Sequence, residues 1–167
     1  SVSGDRLYIE ANTMNPQTGL QLWGKRYRGD LQLYREMAHR FSDEMTFRIS
    51  GYKGIANSKI AFISKSSGSK ELYVMDYDGY NVDQLTKDNS ITLSPTWSPD
   101  TTQIAYVSFK RGNPWIFVMD VNTRKSRLLA SYHGLNSAPS WSPDGNKILA
   151  TLNKDGDEEI YILDPQG

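Results

Sequence analysis

The chain has 167 residues, room for one full domain or two small ones at roughly 100–200 residues per domain, so a large multidomain enzyme is excluded. Nineteen Lys and Arg balance nineteen Asp and Glu, with eight basic against six acidic residues up to Lys53 and eleven against thirteen beyond. Neither part is a polycation built for nucleic-acid phosphates, and 38% apolar residues with nineteen Trp, Tyr and Phe are too many large side chains for a disordered polyampholyte.

No run approaches the roughly eighteen apolar residues of a membrane span, and Ser1 to Arg6 lack the basic start and apolar stretch of a signal peptide, so a soluble chain without direct membrane insertion is expected. Zero cysteines remove disulfides, thiolate zinc sites and cysteine nucleophiles together, yet they identify no compartment.

In chain order, Arg6 to Ala11 alternates with Leu7, Ile9 and Ala11 on one face. Asn15 to Gly19 supplies turn residues, and Gln21 to Tyr27 returns as a second strand. From Leu31, the residues Tyr34, Met37, Ala38, Phe41, Met45 and Ile49 fall at helical spacing. Asp30 is the expected N-cap and Gly51 the stop. A helix on a hairpin makes a small α+β unit, with a boundary near Gly54.

Beyond it the sequence repeats at a step of 44 residues. Trp97-Ser98-Pro99-Asp100 recurs as Trp141-Ser142-Pro143-Asp144, and Met75-Asp76 recurs as Met119-Asp120 and Leu163-Asp164. Aligning Ser94 to Asp120 with Ala138 to Asp164 gives ten identities in 27 positions, most of the differences conserving volume and polarity. Each unit carries short apolar, β-rich runs: Lys59 to Ser64 and Glu71 to Asp76, Gln103 to Ser108 and Trp115 to Asp120, Lys147 to Leu152 and Glu159 to Asp164. Consecutive apolar residues predict strands covered on both faces. Weaker fourth strands are expected at Val82 to Thr86 and Ser126 to Ala130, and a short strand ending in Trp opens each later unit. Four antiparallel strands per unit of this length is the blade of a β-propeller. Ser-Pro-Asp reads as the hairpin between the first two strands, and each Trp as a wedge between blades.

The helix Ala38-His39-Arg40-Phe41-Ser42-Asp43-Glu44, the segment Ser50-Gly51-Tyr52-Lys53-Gly54-Ile55 and the Trp-Ser-Pro-Asp blades together resemble the TolB family. The hairpin Gly19 to Gly29 looks like the end of that family's N-terminal domain. The resemblance implies a mainly β fold: about three incomplete propeller blades over residues 55–167, preceded over residues 1–54 by the C-terminal part of an α/β domain, hairpin plus helix. It also implies a non-enzymatic periplasmic component of the Tol-Pal envelope system, within a six-bladed propeller, that binds the lipoprotein Pal and other Tol proteins. Measured against that pattern, the chain starts inside the N-terminal domain and its repeats stop after the third strand of the third unit. Three partial blades leave open ends, so a homodimer in which two copies form a six-blade-like ring is a further expectation.

Sharper chemical readings give way to repeat equivalence. Asp76-Tyr77-Asp78-Gly79 begins like a calcium loop, but its equivalents are Asp120-Val121-Asn122-Thr123 and Asp164-Pro165-Gln166-Gly167, so a strand-ending turn is expected. The acidic stretch Asn153 to Glu159 occupies the hairpin held one unit earlier by Lys110 to Asn113. Ser67-Gly68-Ser69-Lys70 lacks P-loop spacing. His39 and His133, the only histidines, have no Gly-x-Ser-x-Gly elbow, and His39 reads as a packing or polar-boundary residue. No cofactor, metal or nucleic-acid partner is expected.

The loops joining the outer strand of one blade to the inner strand of the next cluster at one mouth of a propeller. Asn89, Ile91, Thr92, Tyr132, His133, Leu135, Asn136 and Ser137 are therefore the candidate partner surface, mixing aromatic, apolar and amide groups. The competing reading of these residues is ordinary solvent-facing loop. The alternative function is the propeller portion of a serine peptidase or hydrolase gating a catalytic domain encoded elsewhere; a carbohydrate- or ion-binding propeller is a third.

Overall fold

The computed structural model describes residues 2–3 and 6–167. Its contacts divide into two compact units: residues 1–59 together with Asp76–Asp78, and residues 60–75 with 79–167.

In the first unit, β1 (Val2–Ser3), β2 (Arg6–Met14) and β3 (Gln21–Asp30) form an antiparallel sheet in that order. The alternation read from the sequence appears as burial, with Leu7, Ile9, Ala11 and Thr13 turned inward along β2. Asn15 shapes the connecting turn, its side-chain oxygen accepting the Gln17 and Thr18 amides at 2.8 and 3.1 Å.

Helix α1 (Tyr34–Ser50) starts later than expected because a 3-10 turn, Leu31–Leu33, intervenes. Asp30 accordingly makes no side-chain cap bond, which corrects the N-cap expectation. Gly51 stops the helix in a left-handed conformation at φ 76°, its amide donating to the Phe47 carbonyl at 2.8 Å. The helix is fastened to the hairpin by Met37, which is buried, and by stacking of Phe41 on Trp23 with ring centroids 5.1 Å apart. Asp43 then holds the exit segment by accepting the Ala56 and Asn57 amides at 2.6 and 3.0 Å. Gly54 is required beside it, since a Cβ there would fall on the Asp43 backbone.

The second unit is a fan of three antiparallel sheets. The first contains β4 (Lys59–Ser64), β5 (Glu71–Asp76) and β6 (Asp83–Gln84). The second contains β7 (Thr92–Trp97), β8 (Gln103–Ser108), β9 (Trp115–Asp120) and β10 (Ser126–Ala130), and the third β11 (Asn136–Trp141), β12 (Ile148–Leu152) and β13 (Glu159–Leu163). The weak strand at 82–86 is only the two residues of β6, so among the described residues one blade has all four strands.

Equivalent residues do equivalent work. Leu72 and Val74 of the first sheet pack on Ile104, Tyr106, Phe117 and Met119 of the second, joined by Trp97. On the second sheet's other side, Ala105, Val107, Ile116 and Val118 belong to clusters with Ile148, Ala150 and Leu152, joined by Trp141. Each tryptophan therefore wedges two sheets, as its repeat position predicts. The next face in the series differs: Leu149, Ile160 and Ile162 are 44%, 75% and 64% exposed. The expectation that both faces of every apolar strand are covered fails there, because no further sheet follows in the described residues.

Both Ser-Pro-Asp turns are built alike. The Ser98 and Ser142 hydroxyls donate to Asp100 and Asp144 and accept the Gln103 and Lys147 amides at 2.9 and 3.0 Å. The hydroxyl and the nearby Thr102 and Asn146 amides hold both carboxyls below their ordinary range. The inner strands share a bulge that the sequence did not reveal, with Ser94 and Ala138 left-handed at φ 50° and 48° and the ladder register shifting around each.

The turns differ at one equivalent position. Thr101 carries φ 62° where the next repeat has Gly145 at φ 74°. A β-branched residue there is strained by roughly 1–3 kcal/mol, while glycine costs about 0.4–1 kcal/mol through the unfolded state. Thr101→Gly is expected to stabilise the chain by about 1 kcal/mol in urea unfolding; a lower midpoint would show that Thr101 contributes contacts worth more than its strain.

Candidate partner-binding surface

The inter-blade loops lie at the end of the sheets opposite the Ser-Pro-Asp turns, because strands β7 and β11 run from one to the other. Each loop is held by a different buried polar side chain. In the loop after β10, Asn136 accepts the Tyr132 amide at 2.9 Å and donates to the carbonyls of Tyr132 and Gly134 at 2.8 and 3.3 Å. The Leu135 carbonyl accepts the Asn153 amide at 2.9 Å, as the Ile91 carbonyl accepts that of Phe109. In the loop after β6, Glu71 accepts the Asn89 amide at 2.8 Å, and Lys110 pairs with Asp88 at 3.4 Å.

These contacts sort the eight expected residues. Asn89, Ile91, Tyr132 and His133 are exposed, while Leu135 and Ser137 are half-buried. Thr92 and Asn136 are 0% exposed, so neither reaches a partner directly. That corrects their assignment to the surface: both open inner strands, where the chain has already turned into the sheet.

Sequence reasoning passed over Lys110 and Lys154, which are identical at the repeat step and flank the two loops. Lys110 lies 4.3 Å from the Phe117 ring centroid, and Lys154 5.8 Å from that of Tyr161, the equivalent aromatic. Lys154 also sits 5.3 Å from the ring centroid of Tyr132, tying a neighbouring hairpin to the candidate surface. The identity of these lysines in the repeat alignment was the available signal. Glu71 had none, since its equivalents are Trp115 and Glu159. Close by, burial pushes the Tyr106 phenol up to about 12, with the charges of Asp88 and Glu71 acting in the same direction.

The stretches with a metal-like look are already bonded within the protein. Asp76 takes Lys59 at 2.7 Å, and Asp78 takes Arg35 and, at 3.1 Å, His39. His39 thus meets Asp78 from α1 at hydrogen-bonding distance. In the acidic hairpin, Tyr161 donates to Asp155 and Glu159 at 2.6 and 3.2 Å, and the Asp155 bond raises the phenol well above its ordinary range. Among the described residues no cluster of three metal-ligating side chains occurs, and no helix is long and apolar enough to cross a membrane.

Antiparallel sheets of three or four strands stacked face to face at a fixed step, with Trp97 and Trp141 wedged between neighbours, define a repeat protein of the β-propeller class. Within that class, the chain belongs to the TolB beta propeller domain family, whose sequence profile matches residues 47–167. The Tol-Pal system protein TolB of Geobacter sulfurreducens is 43% identical over 100 residues, which are 60% of this chain and 23% of that protein. The crystal structure of TolB from Acinetobacter baumannii superposes with a TM-score of 0.80 and 27% identity over 96% of this chain and 44% of that one. A prolyl endopeptidase structure, 14% identical with a TM-score of 0.52 over 66% of this chain and 20% of its own, shares the fold alone. The chain thus spans about a quarter of the curated relative and under half of the solved TolB chain.

Proposed function

We propose that this chain is a non-enzymatic protein-binding scaffold of the Tol-Pal system, acting in the periplasm and presenting rigid inter-blade loops to the lipoprotein Pal, with other Tol proteins as further partners. The observation that carries the reading is the state of those loops. Ile91, Tyr132 and His133 are exposed on backbones fixed from beneath by buried side chains, a preorganised surface that loses little entropy on binding. Membership of the TolB propeller family and the names of the curated relatives support Pal as the partner. They also disfavour the peptidase alternative, whose support is a shared fold at low identity.

Binding of the 167-residue chain to the soluble domain of a Pal lipoprotein, followed by calorimetry, tests this. The double variant Tyr132→Ala/His133→Ala is expected to weaken binding by about tenfold to a hundredfold, as central aromatic anchors do, with an unchanged melting temperature. Unaltered affinity would remove the loops from the interface.

We propose also that the open face of the third sheet takes a second copy of this chain in solution. Leu149, Ile160 and Ile162 are the repeat equivalents of Ala105, Ile116 and Val118, which the neighbouring sheet covers completely, so the surface is shaped to receive another sheet. Sedimentation velocity is expected to show association that strengthens with concentration and is lost in Ile160→Lys/Ile162→Lys. A folded, unaggregated monomer at every concentration contradicts it.

A further inference from the structure

Glu71 opens β5 and is 1% exposed, yet among the described residues no lysine, arginine or histidine pairs with its carboxylate. Neutral donors meet both carboxyl oxygens. One oxygen accepts the Asn89 amide at 2.8 Å and the other the Thr86 hydroxyl, which itself accepts the Leu72 amide at 2.9 Å. Burying a carboxylate is costly unless such bonds satisfy it, so these two bonds are a condition of the burial of Glu71.

The blade itself does not require it. At the equivalent positions the second sheet carries Trp115 and Ala130 and forms its strands in the same order. What differs is the loop that follows. Between Thr86 and Thr92 the chain passes through Asn89 at φ 50°, a left-handed turn, and lifts Ile91 to an exposed position. Asn89 is the residue whose amide Glu71 receives, and the Glu71–Thr86 bond anchors the root of the same loop. The next inter-blade loop is pinned at the corresponding place by Asn136, also fully buried.

We propose that Glu71 is a positioning residue for partner recognition: it holds the 87–91 loop in its binding conformation from beneath, without touching the partner. The proposal rests on the reading of these loops as the Pal-binding surface and adds the residue that sets one of them. Glutamine can keep the acceptor for the Asn89 amide, whereas alanine removes it.

The test is site-resolved amide hydrogen exchange on the full 167-residue chain, alongside binding to the soluble Pal domain. Glu71→Ala is expected to speed exchange at Asn89 by about tenfold or more while the amides of β8 and β9 keep their protection, and to weaken Pal binding by about tenfold, the usual cost of losing a buried bond to a charged acceptor. Glu71→Gln is expected to restore most of both. If Glu71→Ala does not fold, Thr86→Val, which leaves the Asn89 bond but removes the second bond to the carboxylate and the acceptor of the Leu72 amide, is expected to accelerate exchange at Asn89 in smaller measure, with Leu72 the other amide affected. Unchanged exchange at Asn89, equal acceleration throughout the sheet, or no difference between Gln and Ala overturns the proposal. Should the unaltered chain bind no Pal, the partner reading fails by itself, while exchange at Asn89 still decides what Glu71 does.

Discussion

Burial of one sheet face against the next is the constraint on which the rest of this molecule depends. A single antiparallel sheet of three or four short strands is marginal in water, and its inner faces here are isoleucine, leucine, valine and aromatic residues. Each such side chain contributes roughly 1.5–3 kcal/mol when fully buried. The burial is available only where another sheet lies alongside. Everything else can be read as a means of repeating that contact: the Ser-Pro-Asp hairpin that reverses the chain, the tryptophan that closes the gap between sheets, and the left-handed bulge that lets the inner strand carry a proline.

Rigidity at the contacts has a consequence at the ends of the sheets. A loop joining two packed blades has its ends fixed, so one buried side chain is enough to determine its path. Asn136 does this from the strand that follows its loop, and Glu71 from a strand of the sheet that precedes its own. Two loops with the same place in the repeat therefore reach a defined shape by different chemistry, which leaves their exposed residues free to differ. That separation of a repeated scaffold from individually shaped loops is the feature on which the proposed recognition role rests.

Much of the architecture was legible because the fold repeats. Strands β5, β8, β9 and β10 appear where runs such as Gln-Ile-Ala-Tyr-Val-Ser place them, and the tryptophans fill equivalent sites because the same neighbours return at the same step. The places that were not legible lie where the repeat or local propensity is silent. A 3-10 turn displaced the helix start from Asp30, and nothing in Leu31-Gln32-Leu33 distinguishes it from the first turn of an α-helix. Thr92 and Asn136 read as loop residues because they fall between the runs that mark strands, but each opens an inner strand that the folded sheet buries, Asn136 bonding the loop backbone and the Thr92 hydroxyl finding no partner among the described residues. Glu71 was hidden for the same reason in stronger form: its burial depends on Thr86 and Asn89, partners 15 and 18 residues away that only the folded sheet brings to it.

The central claim, that Trp97 and Trp141 perform one repeated task, is tested most directly by urea unfolding of Trp97→Ala and Trp141→Ala in the same chain. Each wedge lost between sheets is expected to cost about 3 kcal/mol, with the two values within about 1 kcal/mol of each other. A cost near zero for either one, with the other large, would show that the two tryptophans occupy different environments and that the sheets are not copies of one packed unit.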